Sequence, residues 1–350
     1  MLSAVATGGL NSMSVHTRLQ HGMTIVVTGG AGFIGASLVR KLLDIGCAVV
    51  VIDDLSGGTA ANLPRHPRLS LRQLCVCPAT TTEVEADIAT ADLVYHLASP
   101  IGVALAHNAR FGVVESILDS GTTVIKACRT HRCPLVITSS SEVYGQGLPR
   151  PIRETDPVTL DIGPRWGYAT AKMALEHLAA GLYHEYGVPT WLVRPFNIAG
   201  AHQRPETGLV VASFVAAAAA GRPLKIHGSG SQTRSFLHVE DCVAALIAIA
   251  FNDALVGQPV NMGNEAPTTI VELAEAVRRV VNVDIPVIHQ PLENMLGGLF
   301  THAQTRIPDI TRLKNATGWR PGRSLDEAVR DCFTALAAEP CLAAAGGRHS

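Results

Sequence analysis

Thr28-Gly29-Gly30-Ala31-Gly32-Phe33-Ile34-Gly35 organises the first half of this chain. An apolar run, Thr24-Ile25-Val26-Val27, leads into it, and an apolar helical pattern, Ala36-Ser37-Leu38-Val39-Arg40-Lys41-Leu42-Leu43, leads out. A strand, a glycine-rich turn and a helix start, in that order, aim backbone N–H groups and the positive end of a helix dipole at a pyrophosphate. A second apolar run, Ala48-Val49-Val50-Val51-Ile52, ends in Asp53-Asp54. An acid at the tip of the second strand accepts hydrogen bonds from both hydroxyls of an adenosine ribose and repels a 2′-phosphate. The expected cofactor is therefore NAD rather than NADP, with Gly29, Gly32, Phe33, Ile34, Gly35 and Asp53 among its contacts.

Length and composition bound the answer. The chain has 350 residues, of which 47% are hydrophobic, enough for one large α/β unit with a smaller appended lobe. Lys and Arg number 28 against 29 Asp and Glu, for a formal net charge of −1, so nothing electrostatic points to nucleic acid or an anionic membrane. No apolar run approaches the roughly 20 residues needed to span a bilayer, and the N-terminal stretch lacks the basic region and apolar core of a secretory signal. The eight cysteines include no Cys-x-x-Cys pair and read as buried, reduced thiols of a cytoplasmic protein. Cys75-Val76-Cys77 reads as the end of a strand with two thiols on one face, a poor geometry for a metal or a disulfide. The fourteen histidines form no His-x-x-x-His pair, so no metal is expected.

Apolar runs at 24–27, 48–52, 93–97, 135–138 and 190–193 alternate with helical patterns at 36–45, 115–130 and 169–186. That alternation predicts an α/β fold, a doubly wound parallel sheet of Rossmann type, with a smaller C-terminal substrate lobe. Ligands of such sheets sit beyond the carboxyl ends of the strands. Leu97 and Ala98, in His96-Leu97-Ala98-Ser99, and the segment Ser139 to Tyr144 lie there. From Arg194 onward Pro and Gly become frequent, and helices are expected at 213–220, 239–251, 270–281 and 325–336. The division expected is an extension over 1–22, a cofactor domain over 23–193, a substrate lobe over 194–337 with segments returning to the first domain, and a tail over 338–350.

Tyr168-Ala169-Thr170-Ala171-Lys172 places a phenol and an ammonium on one helical face. A free tyrosine is a poor base, and a neighbouring ammonium favours the phenolate. Together with the glycine turn, these motifs resemble the extended short-chain dehydrogenase/reductases, specifically the branch acting on nucleotide-diphosphate sugars. The resemblance runs over residues 23–337 and rests also on Ser139-Ser140-Ser141-Glu142-Val143-Tyr144-Gly145, Arg194-Pro195-Phe196-Asn197 and Gly228-Ser229-Gly230-Ser231-Gln232-Thr233-Arg234.

The resemblance implies Ser140 as the hydroxyl bonded to the reacting sugar oxygen, Tyr168 as base and Lys172 as the residue holding the nicotinamide ribose. It implies Ser141, Asn197, Arg234 and Arg306 as substrate contacts, the last three toward the nucleotide diphosphate, and Glu142 as a further catalytic residue. The family acid that approaches the adenine has no counterpart; Asp87 falls in a helical stretch and does not take that role. The implied chemistry is oxidation at C4 to a transient ketone. Ser141-Glu142, where the related 4,6-dehydratases carry Asp-Glu, resembles the UDP-glucuronate decarboxylases, as do His96-Leu97-Ala98-Ser99-Pro100 and Gly163-Pro164-Arg165. Ile198-Ala199-Gly200-Ala201-His202 departs from the usual Pro-Arg ending after that glycine. A UDP-sugar or UDP-uronic acid 4-epimerase stands as the alternative, then a nucleotide-sugar dehydratase. A non-enzymatic NAD-binding regulator is disfavoured by the retained Ser140, Tyr168 and Lys172. The family also implies a homodimer through the helices carrying Tyr168 and residues 115–130; Leu175, Leu178, Leu182, Ile117, Val124 and Ile125 suit either that contact or simple packing against the sheet.

Overall fold

The computed structural model describes residues 19–100, 110–163, 166–291 and 304–338. The expected extension, but for its last four residues, and the tail from residue 339 lie outside the described residues, as do Pro164, Arg165 and Cys341.

Seven parallel strands form the central sheet: β1 (Thr24–Thr28), β2 (Ala48–Asp53), β3 (Leu69–Gln73), β4 (Leu93–His96), β5 (Leu135–Thr138), β6 (Thr190–Pro195) and, after four short strands, β11 (Pro259–Met262). Their order is β11-β6-β5-β4-β1-β2-β3, so the chain reverses direction across the sheet at β1. The crevice beyond the carboxyl ends of β1 and β4 is the place such a reversal leaves for a ligand. Helix α1 (Phe33–Ile45) repeats apolar residues at helical spacing, burying Leu38, Val39, Leu42 and Leu43, and stops at Gly46 in the left-handed region, φ 101°. Each such leucine removed from water contributes about 2 kcal/mol.

Helix α2 (Thr81–Ile88), α3 (Arg110–His131) and α4 (Gly167–Tyr186) cover the opposite face. Ile117, Val124, Ile125, Leu175 and Leu182 are buried in the core beneath them, which leaves Leu178 as the exposed member of the expected dimer contacts. A third core lies in the C-terminal half. There α5 (Val210–Ala219), α7 (Ile270–Val281) and α8 (Leu325–Ala338) pack around Phe214, Leu224, Leu273 and Val329, while α6 (Val239–Ile249) joins α1 on the main sheet. Helix α7 starts at a capping box, Thr269 with Glu272, which satisfies two otherwise orphaned N–H groups. Small sheets link this half: β7 (Ile198–Ala199) with β10 (Leu237–His238), β8 (Leu224–His227) with β13 (Val287–Gln290), and β9 (Thr233–Arg234) between β12 (Thr268–Thr269) and β14 (Thr305–Arg306).

Four sequence expectations are corrected. The third strand ends at Gln73, and Cys75-Val76-Cys77 lies in a loop tied by Thr80, whose hydroxyl donates to the Cys75 carbonyl at 2.6 Å. Cys75 is exposed rather than buried, and Cys77 is half-buried. The sequence pattern does not mark the seventh strand, Pro259–Met262. The remaining helices differ at their ends: α1, α3 and α5 start three to five residues earlier than expected. Asp87 sits on α2 and pairs with Arg72 at 3.3 Å. No described helix is long and apolar enough to cross a membrane.

Candidate active site

The glycine turn is sterically closed to anything larger. A Cβ on Gly29, whose φ is 71°, would lie 2.7 Å from the Ala98 nitrogen, and one on Gly35 would lie 2.1 Å from the Gly29 carbonyl oxygen. Gly32 caps α1, and Phe33 and Ile34 form its first turn, whose N–H groups have no intrahelical acceptor. Leu97 N–H donates to the Thr28 carbonyl at 3.1 Å and Ala98 N–H to the Thr28 hydroxyl at 3.3 Å, which sets these two residues against the turn. Asp53, 8% exposed, accepts from Ala31 N–H and Leu55 N–H, each at 2.9 Å. A carboxylate has about four acceptor positions, so two remain for ribose hydroxyls. This cradle of bare backbone, helix N-terminus and acid fits a dinucleotide with an unphosphorylated ribose.

Next to it, β5 delivers Ser139 and Ser140, and a 3₁₀ turn, Ser141–Tyr144, begins with the Ser140 hydroxyl accepting from Glu142 N–H at 3.1 Å. Ser141 is buried. Tyr168 and Lys172 share one face of α4, as the spacing requires, with Lys172 Nζ 5.9 Å from the Tyr168 ring centroid. Lys172 is 2% exposed and donates to the Thr138 carbonyl at 3.0 Å. Ser140, Tyr168 and Lys172 are thus brought together.

The electrostatics differ from the sequence expectation. Burial pushes the Tyr168 phenol up to about 12; hydrogen bonding from Ser140 opposes this, the Glu142 carboxylate adds to it, and Ser99 opposes it in turn. Burial dominates that shift even though Lys172 Nζ stands beside the ring. The Lys172 ammonium is engaged with Thr138 and is itself pushed down to about 8 by burial, against the pull of Glu176. His96, also buried, is pushed down to about 3 by burial and then by the charge of Lys172, and is neutral. Its Nδ1 bonds the Thr28 hydroxyl at 2.8 Å, behind the glycine turn.

The residues expected to contact the substrate lie near one another. Arg234 and Arg306 stand in register on β9 and β14. Asn197, at φ 29°, donates from Nδ2 to the Ser235 carbonyl at 3.0 Å, beside Arg234, whose Nη1 donates to the Thr233 carbonyl at 2.8 Å. Arg306, expected at the diphosphate, is 4% exposed, donates to the Gly145 carbonyl at 3.0 Å and ion-pairs with Glu142. Sequence reasoning missed the buried polar chain behind this group, Glu176, Arg194, Tyr144 and Asn261. Glu176 had a signal, standing one helical turn after Lys172; Asn261, on the unrecognised strand, had none. Among the described residues no cluster of three or more His, Cys, Asp or Glu is placed to hold a metal ion.

The model of the NAD dependent epimerase/dehydratase family matches residues 25–263. The UDP-N-acetyl-alpha-D-glucosaminuronate decarboxylase of Bacillus cytotoxicus is 31% identical over 319 residues, covering 87% of this chain and 95% of that protein. UDP-glucuronic acid decarboxylase 1 of Arabidopsis thaliana is 35% identical over 314 residues, covering 88% of this chain and 68% of that protein. Among solved structures, the UDP-glucose 4-epimerase of Thermotoga maritima, with UDP-glucose, superimposes with a TM-score of 0.80 at 26% identity, covering 90% of this chain and 99% of that one.

Proposed function

The chain belongs to the NAD dependent epimerase/dehydratase family, and from that premise we propose that it removes CO2 from a UDP-linked hexuronic acid, UDP-glucuronate or its 2-acetamido analogue, through a transient 4-ketone. The observation that carries this reading is the carboxylate of Glu142, held by Arg306 directly after Ser140 and Ser141. The similarity to decarboxylases at 31% and 35% identity supports it.

NAD is the cofactor of this family, and its nicotinamide supplies the hydride acceptor and, at the end, the donor. Gly29, Gly32, Phe33, Ile34, Gly35 and Asp53 would hold its diphosphate and adenosine ribose; Leu97 and Ala98 would wall the cleft, and Lys172 would bind the nicotinamide ribose. Tyr168 takes the proton from the C4 hydroxyl while Ser140 hydrogen-bonds that oxygen. With a ketone at C4 the C5 carboxylate belongs to a β-keto acid, so the C5–C6 bond breaks as CO2 leaves, its electron pair passing to an enolate. Ser140 and the protonated Tyr168 stabilise the enolate oxygen. The enolate is then reprotonated at C5 by a solvent proton, which Glu142, fixed by Arg306, would position. Hydride return at C4 gives a UDP-pentose. Asn197 and Arg234 would bind the diphosphate, Arg234 with a fork of donors matched to its oxygens; Ser141 would face the sugar.

A second reading, 4-epimerisation of a UDP-sugar, is supported by the likeness to the Thermotoga maritima epimerase. Incubation of the protein with UDP-glucuronate and NAD separates the two. Release of CO2 with a UDP-pentose product supports decarboxylation. UDP-galacturonate formed without CO2 overturns it in favour of epimerisation. The proposal extends to a cytoplasmic homodimer paired through α3 and α4, where Phe111 and Leu178 expose apolar surface, 79% and 46%.

A further inference from the structure

The hydroxyl of Tyr144 sits where three segments of the site meet. It accepts a hydrogen bond from Arg194 Nη1 at 2.7 Å and donates one to Asn261 Oδ1 at 2.7 Å. Arg194, on β6 and 4% exposed, grips Glu176 with Nε at 2.9 Å and Nη2 at 2.6 Å. Glu176 lies one turn beyond Lys172 and two beyond Tyr168 on α4, so this arm of the chain of bonds ends on the helix that carries both. The other arm runs through Asn261, whose Nδ2 donates to the Ile152 carbonyl at 2.8 Å and the Asp309 carbonyl at 3.2 Å. Ile152 N–H in turn donates to the Ile307 carbonyl at 2.8 Å. Those bonds fix the strand that presents Arg306, and Arg306 holds Glu142. Tyr144 itself closes the 3₁₀ turn that bears Glu142 and follows Ser140.

The bonds have a fixed direction. A guanidinium only donates, so the single phenolic proton of Tyr144 is committed to Asn261. That commitment sets the Asn261 amide with its oxygen on Tyr144 and its nitrogen on the two carbonyls. Burial, opposed first by Arg194, pushes the Tyr144 phenol up to about 12, so the proton stays in place at neutral pH. A buried network of this kind holds one arrangement, because any shift strands a polar group away from water.

We infer that Tyr144 is a positioning residue: through Arg194 and Asn261 its hydroxyl sets Ser140 and Glu142 in register with Tyr168 and Lys172 on one side and with Arg306 on the other. The inference rests on the functional reading above for its kinetic consequence, and on the hydrogen bonds alone for its structural one.

The test is Tyr144→Phe in the NAD-loaded full chain, read in two ways. The ring is retained and still meets Phe196, at 6.0 Å between centroids. With UDP-glucuronate as probe, kcat is expected to fall by about 10- to 100-fold with KM within about twofold, the signature of misplaced reacting groups rather than lost binding. Amide hydrogen exchange over 140–145 and 305–309 is expected to accelerate at least about tenfold, with little change elsewhere. Exchange at the wild-type rate in both segments overturns the inference whatever the substrate. Faster exchange in the variant, when the wild type turns over no UDP-uronate, sinks the decarboxylase reading and sustains the positioning role. Should Tyr144→Phe fail to fold, Glu176→Gln is read by the same exchange over 140–145 and 167–176. Acceleration there sustains the network, and an unchanged rate overturns it.

Discussion

Arg306 and Glu142, 164 residues apart in the chain, form an ion pair, with the arginine 4% and the glutamate 22% exposed. The pairing gives Glu142 a fixed place and makes the two residues separable by experiment. Glu142→Gln keeps the shape and removes the charge. CO2 release is expected to fall by about 10²- to 10³-fold, the usual range for loss of a proton-handling group. Oxidation at C4, read as NADH formed in a single turnover, should change far less. Unaltered CO2 release would detach Glu142 from the chemistry.

Removing the other partner is a stability experiment. Arg306→Ala leaves a largely buried carboxylate with its main counter-charge gone, a change that costs about 3 kcal/mol when a buried pair is broken. Denaturant unfolding of the NAD-free protein should show a lower midpoint at an unchanged slope. Glu142→Gln/Arg306→Ala together should recover part of the loss, because no unpaired charge remains. A double variant no more stable than Arg306→Ala would mean that the pair contributes little.

Tyr168→Phe removes the hydroxyl hydrogen-bonded with Ser140 while leaving the ring in the second core. NADH formation is expected to drop by at least about 10²-fold for any nucleotide sugar, since general-base catalysis contributes that much. NAD affinity, assigned by the proposal to the glycine cradle and Asp53, should be retained, and fluorescence titration reads it. Full activity in this variant would remove the assigned base.

Much of this site is readable from local sequence, and the boundary is physical. The glycine turn, Asp53 and the Tyr168/Lys172 spacing are local, because each depends on one strand tip or one helix face. The strand Leu69–Gln73 is an edge, largely exposed, so its apolar content is low and the more apolar Cys75-Val76-Cys77 reads as its end. Pro259–Met262 is four residues long and becomes a strand only by pairing with β6. The contact of Arg306 with Glu142 is tertiary, and no spacing rule reaches across 164 residues. The raised phenol of Tyr168 is likewise a property of burial, which residue type alone does not reveal.

Lys172 has a pH signature. Burial lowers its folded-state pKa from 10.5 to about 8, so at pH 7 the fold carries a buried ammonium that water would solvate better. Between about pH 8 and 10.5 the unfolded chain binds more protons at this position than the folded one, so folding stability contributed here rises with pH over that window. Lys172→Met abolishes the term. The variant should therefore be more stable than the wild type at pH 7, with the difference shrinking as pH approaches 10. Thermal melts at both pH values check it; a difference independent of pH would show that Lys172 is not held as a penalised charge.

On the proposed reading, Asp53 sets the choice of dinucleotide. Its carboxylate already accepts Ala31 N–H and Leu55 N–H, so it cannot swing away from a ribose without breaking two bonds at 2.9 Å. A 2′-phosphate would meet a fixed negative charge at hydrogen-bond distance. Asp53→Asn keeps the acceptor for one of these N–H groups, removes the charge and offers a donor. NAD affinity is expected to fall by about tenfold, one charge-assisted hydrogen bond becoming a neutral one. NADP affinity should rise, so the ratio of the two dissociation constants moves by more than either alone. Titration of both coenzymes into wild type and variant measures that ratio. An unchanged ratio would place the adenosine ribose elsewhere and detach Asp53 from the cofactor, while the glycine cradle, closed by backbone contacts of its own, would still bind the diphosphate.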